Sequence, residues 1–435
     1  MLIHFLLAAR PLAAQDIRPG EIAERVIAKD HPDQSYSVYV PRNYTHDGAW
    51  PIVFVFDPGA RAGTTLPLFR EGAEKFGYIV MCSWNSRNGA WSQTAAAMAA
   101  KWDDAAARCH IDPKRIYTAG FSGGARAAIT FAITTKQVAG VIAGGAALSG
   151  QNVPKDVPFS LFLETSTGDF NWSEVHASAR QLASLGASHR LIQIDGPHRW
   201  PPAAIITQGI EWLTIDAMRR HLRPADPALI TAFTKSRLAE IDALADSPYE
   251  QLQAYDFLIH DLESLSPTPE LAPKAAALRG SKPVKAGLKR QLDAEKREAD
   301  SSREFDRLLR AADASIEGLE PARAFLARLT KAAASPNNNE ARRQLSGASA
   351  FLLESRRELE SRKQYPALAR RLELATELPG ARANPYLELA AAYLNLKDKR
   401  SAKAALDRGV KKGAVTPEQI KADPRLANLT PKEQN

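Results

Sequence analysis

Arg115-Ile-Tyr-Thr-Ala-Gly-Phe-Ser-Gly-Gly124 is the stretch on which the reading of this chain turns. Residues 115–119 form a short apolar run that ends at a glycine turn, which predicts a buried strand. A helix is predicted from about Ala125. Between them lies Gly120-Phe121-Ser122-Gly123-Gly124, a Gly-x-Ser-x-Gly pentad. The pentad alone is a weak signal, and a glycine turn holding a structural serine would look the same. Its setting gives it weight. A strand that turns sharply into a helix leaves no room for side chains on either side of the turn residue, so glycines flank it. The serine hydroxyl then stands above the sheet edge, where the helix N-terminus favours developing negative charge.

Working outward, the neighbouring segments repeat the pattern. Residues 35–40 alternate as a strand and stop at Pro41. Pro51-Ile-Val-Phe-Val-Phe56 is a continuous apolar run, as a strand buried on both faces should be. Residues 78–81, 138–143, 159–163 and 191–194 complete the strand set, with helical spacing over 91–109 and 203–221. Strands alternating with helices predict an α/β domain, a mostly parallel sheet covered by helices on both faces.

The 435 residues are 45% hydrophobic and 24% charged, ordinary globular usage that excludes global disorder, collagen and a disulfide scaffold. All seven tryptophans lie in the first half. Beyond the proline-rich joint at 222–227 the composition shifts to Ala, Leu, Glu, Lys and Arg at helical spacing. The expected division is therefore a catalytic domain over 20–223 and an all-helical region over 226–435. In the latter, Phe305, Leu309, Ala312, Ile316 and Leu319 mark one apolar face, and 336–339 is a break. Over 384–413, Tyr386, Leu389, Ala390, Tyr393, Ala402, Leu406 and Gly409 fall where a tetratricopeptide unit places its packing residues. Gly409 replaces the usual alanine, and an ordinary helical hairpin is the alternative.

A net charge of +8 with signs interleaved reads as a solvated surface, so no nucleic-acid partner is expected. No run approaches the roughly 18 apolar residues of a membrane span, so no integral membrane domain is expected. Met1-Leu-Ile-His-Phe-Leu-Leu-Ala-Ala9 reads as the start of a signal peptide and leader over 1–19, cut near Ala14. That predicts export to a periplasm or the medium, with a cytoplasmic protein as the alternative. Cys82 and Cys109 are expected at opposite ends of the sheet layer, as free thiols.

A serine hydroxyl needs a base to take its proton. His198, in Asp195-Gly-Pro-His198 just after the strand at 191–194, fits better than His110, His176, His189 or His221. The base in turn needs a carboxylate to fix its tautomer. Asp169 and Glu164, both at the end of the strand at 159–163, are the candidates, with Asp169 favoured. Acyl transfer also needs oxyanion donors. One is the N–H of Gly123. The other is expected in Asp57-Pro58-Gly59-Ala60-Arg61, from Ala60 or Arg61, because Pro58 has no N–H. Arg61, Trp84 and Trp200 are candidate substrate contacts; Asn85, Arg87 and Trp91 share the segment that holds Trp84.

These pieces resemble the α/β-hydrolase superfamily, and within it the carboxylesterase group that includes polyhydroxybutyrate depolymerases and feruloyl esterases. The matching residues are Tyr36-Ser-Val-Tyr-Val-Pro41, Ile116 to Gly124, Gly168-Asp-Phe-Asn171 and His198-Arg-Trp-Pro201, under half of the chain. The resemblance implies Ser122 as nucleophile, Asp169 as acid and His198 as base. The chain departs from the family at Asp57-Pro58-Gly59, where a His-Gly pair is usual. The expectation is a serine hydrolase acting on a small-molecule carboxylic ester, with no metal or organic cofactor implied. A peptidase or amidase with the same triad is the first alternative. A non-catalytic scaffold is the second. The helical region would then dock a protein partner or self-associate.

Overall fold

A computed structural model of the chain describes residues 17–148, 156–379, 384–426 and 429. The expected cleavage near Ala14 lies outside them. The chain divides into two compact units, with the division between Lys289 and Arg290.

The first unit is built on an eight-stranded sheet: β1 (Ile22–Ala28), β2 (His31–Tyr39), β3 (Trp50–Phe56), β4 (Ile79–Ser83), β5 (Ile111–Phe121), β6 (Gly140–Gly144), β7 (Ser160–Gly168) and β8 (His189–Pro197), in the spatial order β1-β2-β4-β3-β5-β6-β7-β8. β1 and β2 are antiparallel and form one edge, while β4 through β8 run parallel to β3. Side chains of the inner strands divide between the two faces with the period of two that a pleated strand imposes. Val53, Val55, Val80, Cys82, Tyr117 and Ala119 join one core, and Ile52, Phe54, Phe56, Ile79, Met81 and Ile116 the other. The second core is covered by the helices Trp91–Arg108, Gly123–Thr135 and Trp172–Ser184.

The first core is covered by the helix Ala203–Arg219, and beyond it by the helices Pro227–Ala243, Pro248–Asp261 and Leu271–Arg279. The proline joint at 222–227 is thus a turn between helices of one unit: Ile230, Phe233, Tyr249, Leu252 and Leu258 share a core with Ile210 and Trp212. Asp261 anchors this extension. Its carboxylate accepts from Arg190 of β8 and from the Trp212 indole, both at 2.7 Å.

The second unit is helical. Phe305, Leu309, Ala312 and Leu319 pack together with Phe325, Leu326 and Leu352. Ile316, expected on that face, is 71% exposed. The helix Lys282–Ala314 has ended, and Ile316 lies in the turn before the helix Leu319–Ala333. The break at 336–339 is a turn in which Asn338 caps the helix Asn339–Glu354. In the hairpin of Pro385–Asn395 and Lys399–Lys411, a Cβ on Gly409 would meet Cβ and Cγ of Tyr386 at 2.9 Å, so only glycine lets the two helices close on the aromatic ring. Among the described residues no helix is long and apolar enough to cross a membrane.

Candidate active site

Ser122 is the first residue past β5 and the N-cap of the helix Gly123–Thr135. Its backbone sits at φ +54°, ψ −123°, a conformation that costs a non-glycine residue of the order of 1–3 kcal/mol and persists only when its surroundings impose it. The surroundings are tight enough to do so. A Cβ on Gly120 would stand 2.1 Å from the Gly124 carbonyl oxygen, and one on Gly124 would stand 2.1 Å from that of Phe56. The Ser122 N–H donates to Gly144 O at 2.8 Å, pinning the turn to the end of β6.

The other two candidates arrive from neighbouring strands at the same, carboxyl-terminal edge. Asp169 follows β7 and is wholly buried; Oδ1 accepts the Asn171 N–H at 2.7 Å. His198 follows β8, which runs on past the expected residue 194 to Pro197. Its Nδ1 stands 2.8 Å from Oδ2 of Asp169. The imidazole is held between Phe121 and Phe170, at ring-centroid distances of 4.6 and 4.1 Å. Phe121 is the last residue of β5 and immediately precedes Ser122, so the ring is packed one residue from the turn. A Cβ on Gly145 would touch both Phe121 and Asp169 Oδ2, so glycine is required where these parts meet.

Glu164, the alternative acid, lies five residues earlier with its Oε2 beneath Gly144. Burial, and secondly the charge of Asp169, push its pKa up to about 8, so it holds its proton at neutral pH. Of the rival histidines, His176 contacts Gln193 from the helix Trp172–Ser184, and His189 stands at the opposite end of β8 from His198.

The loop after β3 differs from expectation. The buried carboxylate of Asp57 accepts from the N–H of Gly59 (2.8 Å) and of Arg61 (3.1 Å), from Arg61 Nε and Nη2 (both 2.9 Å), from Thr65 Oγ1 (3.2 Å) and from Trp200 Nε1 (2.8 Å). Burial alone would raise its pKa, but these hydrogen bonds hold it below the usual carboxylate value. The Ala60 N–H donates to the Asp57 carbonyl at 3.2 Å. Both N–H groups expected to serve as the second oxyanion donor, those of Ala60 and Arg61, are therefore engaged with Asp57. The Arg61 guanidinium forms a two-pronged pair with the same carboxylate, and Trp200 ties that loop to the one carrying His198. Trp84 points its indole N–H at Glu24 O and Ser37 Oγ on the edge strands, at 2.8 and 3.0 Å. Cys82 and Cys109 are both free thiols.

Strand order, helices on both faces, and a strained serine between the fifth strand and a helix now stand together. The first unit has the α/β-hydrolase fold. No protein-family model and no curated protein matches the chain. Among solved structures it is similar to the S-formylglutathione hydrolase FrmB of Staphylococcus aureus, at 15% identity and a TM-score of 0.36, over 45% of this chain and 98% of that one. It is also similar to a ferulic acid esterase, at 12% identity and a TM-score of 0.39, over 45% of this chain and 98% of that one. A third is a hyperthermophilic esterase of the archaeon Pyrobaculum calidifontis, at 13% identity and a TM-score of 0.38, over 46% and 87% of the two chains. The remainder of the chain is helical.

Proposed function

We propose that this protein is a serine hydrolase that cleaves carboxylic esters through an acyl-enzyme intermediate. The observation that supports the reading is a strained serine at a helix N-terminus, on the same sheet edge as a buried imidazole–carboxylate pair 2.8 Å apart.

Ser122 Oγ attacks the ester carbonyl carbon while Nε2 of His198 takes its proton. Asp169 fixes the imidazole with Nδ1 protonated and stabilises the imidazolium that forms. The aromatic rings of Phe121 and Phe170 hold the imidazole in place. Negative charge moves to the carbonyl oxygen, where the N–H of Gly123 and the helix N-terminus favour it. The C–O bond to the alcohol then breaks, and His198 returns the proton to the departing oxygen. Water repeats the sequence on the acyl-enzyme: His198 accepts its proton, and Ser122 leaves with that proton restored.

The test is hydrolysis of a panel of 4-nitrophenyl esters of graded acyl length. Ser122→Ala should lower kcat by about a millionfold, the loss seen when a triad nucleophile is removed. A Ser122→Ala protein as active as the wild type on every hydrolysed ester would refute the proposal.

A further inference from the structure

Asp169 turns its two oxygens to different neighbours. Oδ1 accepts the Asn171 N–H at 2.7 Å, and Oδ2 stands 2.8 Å from His198 Nδ1. The chain after β6 runs close beside Oδ2. A Cβ added at Gly145 would lie 2.9 Å from that oxygen and 2.5 Å from Cε2 of Phe121, the residue before the candidate nucleophile. Where the Gly145 backbone sits therefore decides how much room the Asp169 carboxylate has.

That backbone is tied from several sides. Gly144 O accepts the Ser122 N–H at 2.8 Å, and the Gly145 N–H donates to Glu164 O at 2.9 Å. The Gly145 carbonyl is taken by a side chain: Asn171 Nδ2 donates to it at 2.7 Å. A carbonyl can only accept, so the Asn171 carboxamide has one orientation here, with its NH2 toward Gly145. Its Oδ1 lies 3.5 Å from Nη2 of Arg126. Arg126 belongs to the helix that Ser122 caps, and the same Nη2 pairs with Oε2 of Glu174 at 2.7 Å. Oε1 of Glu174 accepts the Ala147 N–H at 3.0 Å. Asn171 and Glu174, the cap and the first turn of the helix Trp172–Ser184, thus grip the same segment to which the Ser122 backbone is tied.

We infer that Asn171 is a positioning residue for the acid–base pair: its N–H fixes Oδ1 of Asp169, and its carboxamide holds Gly145 beside Oδ2. This rests on the ester-hydrolase reading above. Acid–base groups work only when held within roughly 0.5 Å of their productive geometry by a supporting layer of packing and hydrogen bonds. With the Gly145 carbonyl released, the chain beside Oδ2 shifts, and His198 loses a fixed carboxylate at the step in which its ring becomes a cation. The Arg126–Glu174 pair extends the hold from the helix of the nucleophile to the helix of the acid.

The experiment is a double-mutant cycle in the full chain. It compares wild type, Asn171→Ala, Asn171→Leu, Asp169→Asn and each Asn171 change combined with Asp169→Asn, beside Ser122→Ala. Asn171→Leu keeps the shape of the side chain and lacks the donor. Hydrolysis of a 4-nitrophenyl ester is referred to folded protein, measured by near-ultraviolet circular dichroism, so a partly unfolded variant still gives a reading. The expected result is a kcat lower by up to about 100-fold in both single variants, the cost of a ~1 Å misplacement, with KM little changed. On the Asp169→Asn background the same changes should lower kcat hardly further, because residues acting through one group are not additive. A loss that multiplies in full on that background would overturn the inference, since Asn171 would then act apart from the acid. Wild-type kcat in both single variants would also overturn it, as would a raised KM with kcat unchanged. In those cases the losses in Ser122→Ala and Asp169→Asn would leave the triad standing. If Ser122→Ala or Asp169→Asn hydrolyses the ester like wild type, the functional reading fails first, and the inference falls with it.

Discussion

Glu164 and Asp169 are both buried carboxyls near the end of one strand, and their surroundings give them opposite chemistry. Asp169 receives a backbone N–H and faces the His198 ring, while Glu164 receives only a Ser166 hydroxyl at 3.3 Å and sits beside Asp169 itself. Burial, and secondly the neighbouring Asp169 carboxylate, disfavour ionisation of Glu164, so the proton stays on Glu164 at neutral pH. Asp169→Asn should lower kcat by about 10⁴-fold, as loss of the correct imidazole tautomer does. Glu164→Gln, which mimics the protonated acid, should leave kcat at pH 7 close to wild type. The pH dependence of stability gives a second reading of Glu164. Its folded pKa of about 8 lies above the ordinary 4.5, so its contribution is complete below 4.5 and is lost as pH rises through 8. Urea midpoints between pH 5 and 9 should fall less steeply for Glu164→Gln than for wild type; parallel curves would contradict this.

At the scale of elements, the helix Trp91–Arg108 drives a lysine into the sheet. Lys101 is 1% exposed, donates to Val55 O at 3.1 Å and lies over the Phe56 ring at 4.4 Å. Burial pushes its pKa down from 10.5 to about 8. The unfolded chain keeps this proton up to 10.5 while the folded chain releases it near 8, so stability climbs between those values and the cost is complete below 8. Lys101→Met should be the more stable protein at pH 7 and should lack the climb, worth up to about 3 kcal/mol from the size of the shift. Equal wild-type and variant slopes in denaturant titrations from pH 7 to 10 would contradict it. The inner strands were readable in the sequence because burial on both faces leaves continuous apolar runs such as 51–56. β1 was not, because an edge strand is half exposed, and Ile22-Ala-Glu-Arg-Val-Ile-Ala28 carries charges where an inner strand carries valine. Ile316 misled because helical spacing continues across a turn that the periodicity does not mark. The fate of the 57–61 loop was hidden for another reason. Which backbone N–H groups a buried aspartate gathers depends on tertiary approach, and Trp200 and Thr65, its other donors, lie far from one another in sequence.

At the scale of the whole molecule, composition marked a change of texture near residue 224 but not the structural division at Lys289 and Arg290. Helices rich in Ala, Leu and Glu serve equally well as a covering layer on a sheet or as a separate unit. What assigns 227–279 to the first unit is the apolar face shared with Ile210 and Trp212 and the buried Arg190–Asp261 pair, neither of which local composition records. Removing one member of such a pair leaves an uncompensated buried charge, so this extension is part of the first unit's stability. The places of Ser122, Asp169 and His198 were readable because each follows a recognisable strand, and the sheet carries those strand ends to one edge. The most direct measurement is labelling of the full chain with a fluorophosphonate, followed by peptide mapping. One adduct, on Ser122, forming far more slowly in His198→Ala, is the expected result. Ester hydrolysis that persists while the adduct lies on another residue, or while no adduct forms, would contradict it.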